Sequence, residues 1–144
     1  MSFIGFPLLV IPFAIYNVLA FPSLFPSVTL TSEVPGVQLH LLSGVDWKFY
    51  TGDLLIAFAV LLLYVEILKA TRLGRRNAFD HTLSIILFAI FVAEFVAIKQ
   101  AATSTFFLLL VISFVDVIGG FAVSVRVARR DAQLVEAARR STPH

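Results

Sequence analysis

Four stretches of the chain are almost continuously apolar: Phe3 to Phe21, about Gly52 to Ala70, about Thr82 to Ile98 and about Thr105 to Val125. Each runs for roughly 17 to 21 residues, and at about 1.5 Å per residue a helix of that length crosses a hydrocarbon core of about 30 Å. The pattern predicts four transmembrane helices. Pro7 and Pro12 interrupt the first stretch, so a bent or locally opened helix is expected there, and Pro22 and Pro26 end it. Val18-Leu19-Ala20 resembles the small-residue site before a signal-peptidase cut, but Met1-Ser2-Phe3 carries no side-chain charge, and the span is read as a retained helix.

One long connection, residues 22–51, joins the first two spans. In it Val28-Thr29-Leu30-Thr31 and Val37-Gln38-Leu39-His40-Leu41 alternate around Glu33-Val34-Pro35-Gly36. This reads either as two short strands meeting at a Pro-Gly turn or as an irregular amphipathic loop on the lipid surface. Trp47, Phe49 and Tyr50 stand where an interfacial aromatic anchor precedes the second span. Beyond Val125 helical character persists through Arg140, with Val127, Leu134 and Ala138 among charges, so the fourth helix is expected to outrun the bilayer by roughly two to four turns. The expected organisation is a transmembrane domain over 1–128 and a basic amphipathic tail over 129–144.

Composition agrees with the pattern: 59% of the 144 residues are hydrophobic, 14% are charged, and the chain has no cysteine. Disulfides, thiolate nucleophiles and Cys-ligated metals are thereby excluded. Charge gives the orientation. Lys69, Arg72, Arg75 and Arg76 follow the second span and Arg126, Arg129, Arg130, Arg139 and Arg140 follow the fourth, against Lys48 and Lys99 on the other side. Nine basic residues against two place both termini in the cytoplasm of an up-down bundle, with a bacterial inner membrane as the expected location. Arg72, Arg75, Arg76, Arg126, Arg129 and Arg130 are also candidates for anionic-lipid contact, although topology alone selects the same residues.

Only three acids lie well inside the spans: Glu66, Glu94 and Asp116. Ionisable groups in hydrocarbon are expensive and mark either a function or a specific partner. Asp116 falls near the middle of the fourth span, and Ser113, Gly120 and Ser124 share its face, making that face small and polar. Its serines can donate to the carboxylate, and Gly119-Gly120 are expected to loosen the helix and admit a neighbour. Glu94 lies at the depth of Tyr16 and Asn17, either of which can hydrogen-bond it. Glu66 has Lys69 three residues on, the spacing of an interfacial ion pair. Stacked at steps of roughly 6 to 8 Å of depth, the three acids also permit a proton relay.

Several classes are set aside. His40, His81 and His144 all lie outside the spans, which removes paired haem ligation, and His81 follows Asp80 in the manner of a capped helix start. No phosphate loop, nucleophile elbow or zinc spacing occurs. Asp53 and Asp116 should lie about 15 Å apart in depth, too far for an aspartyl hydrolase. In size the chain is similar to small multidrug transporters, but those carry their membrane glutamate in the first span, which has none here. Claudins share four spans and a long outer first loop, yet their tryptophan and cysteine motif is absent. No family assignment follows.

The sequence therefore leads to an all-α, four-helix integral membrane protein acting without catalysis or cofactor. Its expected role is an accessory, assembly or scaffolding subunit whose partners are lipids and other membrane subunits or copies of itself, with no nucleic acid. The alternative is a small proton-coupled transporter or channel component using Glu94, Asp116 and Glu66.

Overall fold

The computed structural model describes residues 6–21, 29–72 and 78–141. It is mostly helical. Helix α1 spans Val10–Ala20, strands β1 (Glu33–His40) and β2 (Asp46–Tyr50) form an antiparallel hairpin, and α2 (Thr51–Arg72), α3 (Ala78–Ala97) and α4 (Ser104–Ser141) complete the chain. A single 3₁₀ turn at Lys99–Ala101 links α3 to α4. Two helices, α2 and α4, are long and apolar enough to cross a membrane by length and composition, while α1 and α3 hold shorter described apolar runs.

Helix α1 is shorter than the stretch Phe3 to Phe21 predicted. Its 11 residues amount to about 16 Å of helix. The prolines explain this. Pro7 lies before the helix, and tight turns from Val10 N–H to Pro7 C=O (3.2 Å) and Ile11 N–H to Leu8 C=O (3.0 Å) lead into it. Pro12 then falls in the first turn, where a missing N–H is no loss.

The hairpin is real, but its turn is not at Pro35-Gly36. Leu39 pairs with Trp47 and His40 with Asp46, and the chain reverses through Leu41–Val45, where Gly44 adopts a φ of 82° and donates to the Leu41 carbonyl. Pro35-Gly36 instead falls in the stretch of β1 where the register shifts, between the pairs Glu33/Tyr50 and Gln38/Lys48. Such an irregularity accommodates a residue that cannot donate to the ladder. Val28 lies outside the described residues. Thr29 to Ser32 form a turn, closed by Ser32 N–H to Thr29 C=O at 3.1 Å, rather than a strand.

That turn caps α2. Leu30 C=O accepts from Gly52 N–H (2.9 Å) and Ser32 C=O from Thr51 N–H (3.0 Å), while the Asp53 carboxylate accepts the Tyr50 N–H at 3.1 Å. Three amide groups at the helix start, otherwise orphaned, are thus satisfied. Gly52 has no room for a side chain, since a Cβ would lie 2.9 Å from Thr105 Oγ1 and 3.2 Å from Leu30 O. The contact brings the starts of α2 and α4 together.

Helices α3 and α4 run antiparallel, with ring pairs Phe95/Phe107, Phe88/Phe114 and His81/Phe121 at 6.0, 5.5 and 6.4 Å along their length. The core gathers around Phe106. Its ring meets Tyr16 at 4.8 Å, Phe91 at 5.4 Å and, farther out, Phe13 and Phe95. Edge-on and tilted aromatic pairs of this kind add to burial by roughly 0.5–1.5 kcal/mol each. Helix α3 is described from Ala78, so Asp80 lies inside the helix and not at the cap position the sequence implied.

Candidate functional site

Among the described residues, and apart from the Tyr16 hydroxyl on α1, the buried polar side chains come from three helices: Glu66 on α2, Ser84 on α3, and Ser113 and Asp116 on α4. Facing contacts fix their relative levels. With Gly52 beside Thr105 and the three ring pairs between α3 and α4, Asp116 comes within about 3 Å of the level of Ser84 and about 5 Å of that of Glu66. His81 stands level with Phe121, close to the level of Glu66, and its buried Nδ1 has no hydrogen-bond partner among the described residues. One polar layer therefore crosses the half of the bundle away from the hairpin.

Glu94 does not belong to it. The same register puts Glu94 about 12 Å from Asp116 along the helices, so the evenly stepped ladder of three acids becomes a pair and an outlier. Asn17 Nδ2 donates to Glu94 Oε2 at 3.4 Å and to the Phe13 carbonyl at 3.2 Å. Tyr16 turns elsewhere. Fully buried, its hydroxyl donates to the Gln100 carbonyl at 2.8 Å, which leaves it to accept from the Thr103 hydroxyl at 2.6 Å. Thr103 Oγ1 also accepts the Phe106 N–H at 3.2 Å, so one hydroxyl pair ties α1 to the start of α4.

Glu66 takes a partner that residue spacing did not reveal. Its Oε2 accepts the backbone N–H of Leu8 at 3.0 Å. The described bond thus runs from α2 to the entry of α1. A signal existed in principle, because the prolines at 7 and 12 leave that entry with amides outside any helix, but no local pattern pairs positions 58 residues apart.

The small-residue face of α4 divides. Ser113 and Gly120 are buried with Asp116, but Ser124 donates to the Gly120 carbonyl at 2.9 Å, bonding its own helix rather than the carboxylate. A Cβ on Gly119 would meet nothing within 4 Å among the described residues, so that glycine makes no close contact within them. Helix α4 runs unbroken through both glycines. Arg75 and Arg76 lie outside the described residues, as does the Arg72 side chain, whereas Arg126, Arg129 and Arg130 are exposed along α4.

Outside the helical layer, His40 Nδ1 lies 2.6 Å from Asp46 Oδ1 and Lys48 Nζ 3.1 Å from Glu33 Oε1, both pairs exposed on the hairpin. The hydrogen bond and charge of Glu33 hold the Lys48 ammonium above the ordinary lysine range. Among the described residues no group of three or more His, Asp or Glu side chains is arranged to hold a metal ion. Comparison with protein-family models, with curated proteins and with solved structures finds no match.

Proposed function

We propose that the chain is a four-helix integral membrane protein, both termini cytoplasmic, that serves without catalysis as an accessory, assembly or scaffolding subunit of a larger membrane complex. Its membrane placement is supported by the distribution of polarity. The apolar windows of α2 and α4 are only 22% and 33% buried, where the core helix of a soluble protein would be mostly covered. Large apolar side chains such as Leu61, Ile86, Phe114 and Ile118 face outward, while Glu66, Ser84, Ser113 and Asp116 face inward. On this reading the first crossing includes chain outside the short α1, and the basic residues following α2 and α4 keep those ends inside.

The observation that carries the functional reading is where the interior polar groups go. Glu66 holds the Leu8 amide, Tyr16 holds Gln100 and Thr103, Asn17 holds Glu94, and Ser124 holds Gly120. Each of these bonds ties one part of the bundle to another or stiffens a helix. That is the chemistry of a structural subunit, whose polar residues fix a single helix arrangement.

The second reading, a proton-coupled transporter or channel component, draws on the polar layer that sets Asp116, Glu66 and the open Nδ1 of His81 at neighbouring levels. Proton flux into vesicles carrying the purified protein separates the two. No flux above that of empty vesicles is expected. Flux that Asp116→Asn abolishes in a folded protein would overturn the subunit reading.

A further inference from the structure

The hairpin between α1 and α2 has two unlike faces. Directly paired residues project to the same side, so Leu39 and Trp47 share a face with Leu41, Val45 and Phe49. The other face carries Gln38, His40, Asp46 and Lys48, with His40 bonded to Asp46 and Lys48 to Glu33. Most of the apolar face stands open: Leu39, Val45 and Trp47 are 49%, 59% and 47% exposed, while Phe49 is half-buried, its ring centre 4.3 Å from that of Trp47.

A two-stranded ribbon with a bare apolar face is at best marginally stable in water, so the face needs a cover. Its position says which. Strand β2 ends at Tyr50 and α2 begins at Thr51 with no intervening residue, and the Thr51 and Gly52 amides bind the chain just before β1. The hairpin is therefore fixed at the first turn of α2. If α2 crosses the bilayer, as the reading above holds, that turn lies at the membrane–water boundary, where tryptophan and tyrosine concentrate.

We infer that the hairpin lies flat on the outer leaflet, its Leu39, Leu41, Val45, Trp47 and Phe49 face sunk among the lipid headgroups and upper acyl chains and its charged pairs turned to water. This inference rests on the membrane reading. Because the polar face pairs its own charges and presents no basic cluster, docking depends on apolar burial and not on anionic lipid.

Trp47 is the single tryptophan of the chain, so the emission of the native protein reports on the hairpin alone. The full chain, reconstituted in phosphatidylcholine vesicles, should emit at a blue-shifted wavelength. Lipids brominated near the headgroup should reduce the intensity at least about twofold, lipids brominated deep in the chains less, and aqueous iodide little. Replacing part of the lipid with phosphatidylglycerol should leave the result unchanged. Water-like emission quenched by iodide, in protein that floats with the vesicles after an alkaline wash, would overturn the docking while leaving the membrane reading in place. Blue-shifted emission untouched by brominated lipid would overturn it in favour of a protein cover, and a shift that fades as lipid is added in excess would identify that cover as a second copy. Protein that washes off the vesicles would defeat both readings.

Discussion

The amide of Leu8 donates to the carboxylate of Glu66 across 3.0 Å, so an acid on α2 secures the entry of a helix 58 residues earlier in the chain. The pairing assigns the two natural replacements different outcomes. Glu66→Gln keeps an acceptor oxygen and should lower the thermal midpoint in mild detergent only slightly. Glu66→Ala strands the Leu8 amide, at a cost of about 1–3 kcal/mol, and should lower it clearly. Equal midpoints for the two variants would show that the bond does not hold α1.

Tyr16→Phe preserves the ring contact with Phe106 at 4.8 Å but deletes the hydroxyl that reaches Gln100 and Thr103. A loss of about 0.5–1.5 kcal/mol per bond is expected, read as a lower unfolding midpoint. Proteolysis should show the α3–α4 connection as the region loosened. An unchanged midpoint together with unchanged proteolysis would remove Tyr16 from the ties that hold the bundle.

Two glycines should respond in opposite directions to the same change. Gly52→Ala forces a methyl group to 2.9 Å from Thr105 Oγ1 and should destabilise the protein, with partial rescue by Thr105→Ala, which removes the crowding oxygen. Gly119→Ala meets open space inside a helix and should be neutral or stabilising by up to about 1 kcal/mol. Thermal melts of both variants beside the native protein check the pair, and a destabilising Gly119→Ala would contradict the geometry.

Apolar run length located α2, α3 and the start of α4 within a few residues because the pattern is long and local. The same pattern overstated α1, since hydropathy does not register that Pro7 and Pro12 confine regular helix to the residues after Leu9. In the hairpin, Pro35-Gly36 carried the stronger turn signal, yet Gly44 makes the turn, because strand register is settled by pairing across the ribbon and not by one dipeptide. The acids themselves were plain in the sequence, and so was Asn17 as a partner of Glu94. The partners of Glu66 and Tyr16 were not, as Leu8 offers only a backbone amide and the Tyr16 hydroxyl reaches a carbonyl 84 residues away.

Asp116 is buried on α4 at nearly the level of Ser84. Asp116→Asn keeps the shape and most of the hydrogen-bonding capacity and should leave the midpoint nearly unchanged. Asp116→Leu leaves polar neighbours without their partner and should lower stability by about 1–3 kcal/mol. An asparagine variant as unstable as the leucine variant would mean that the carboxyl group itself, and not its shape, holds the layer.

The mass of the particle released from native membranes by a mild detergent tests the subunit reading most directly. One chain weighs 15.9 kDa. The account predicts a particle that contains a second kind of polypeptide in fixed proportion, so that its protein mass is not a whole multiple of that value, and the same particle for Asp116→Asn. A particle built only from copies of this chain, at a whole multiple of 15.9 kDa, would contradict it.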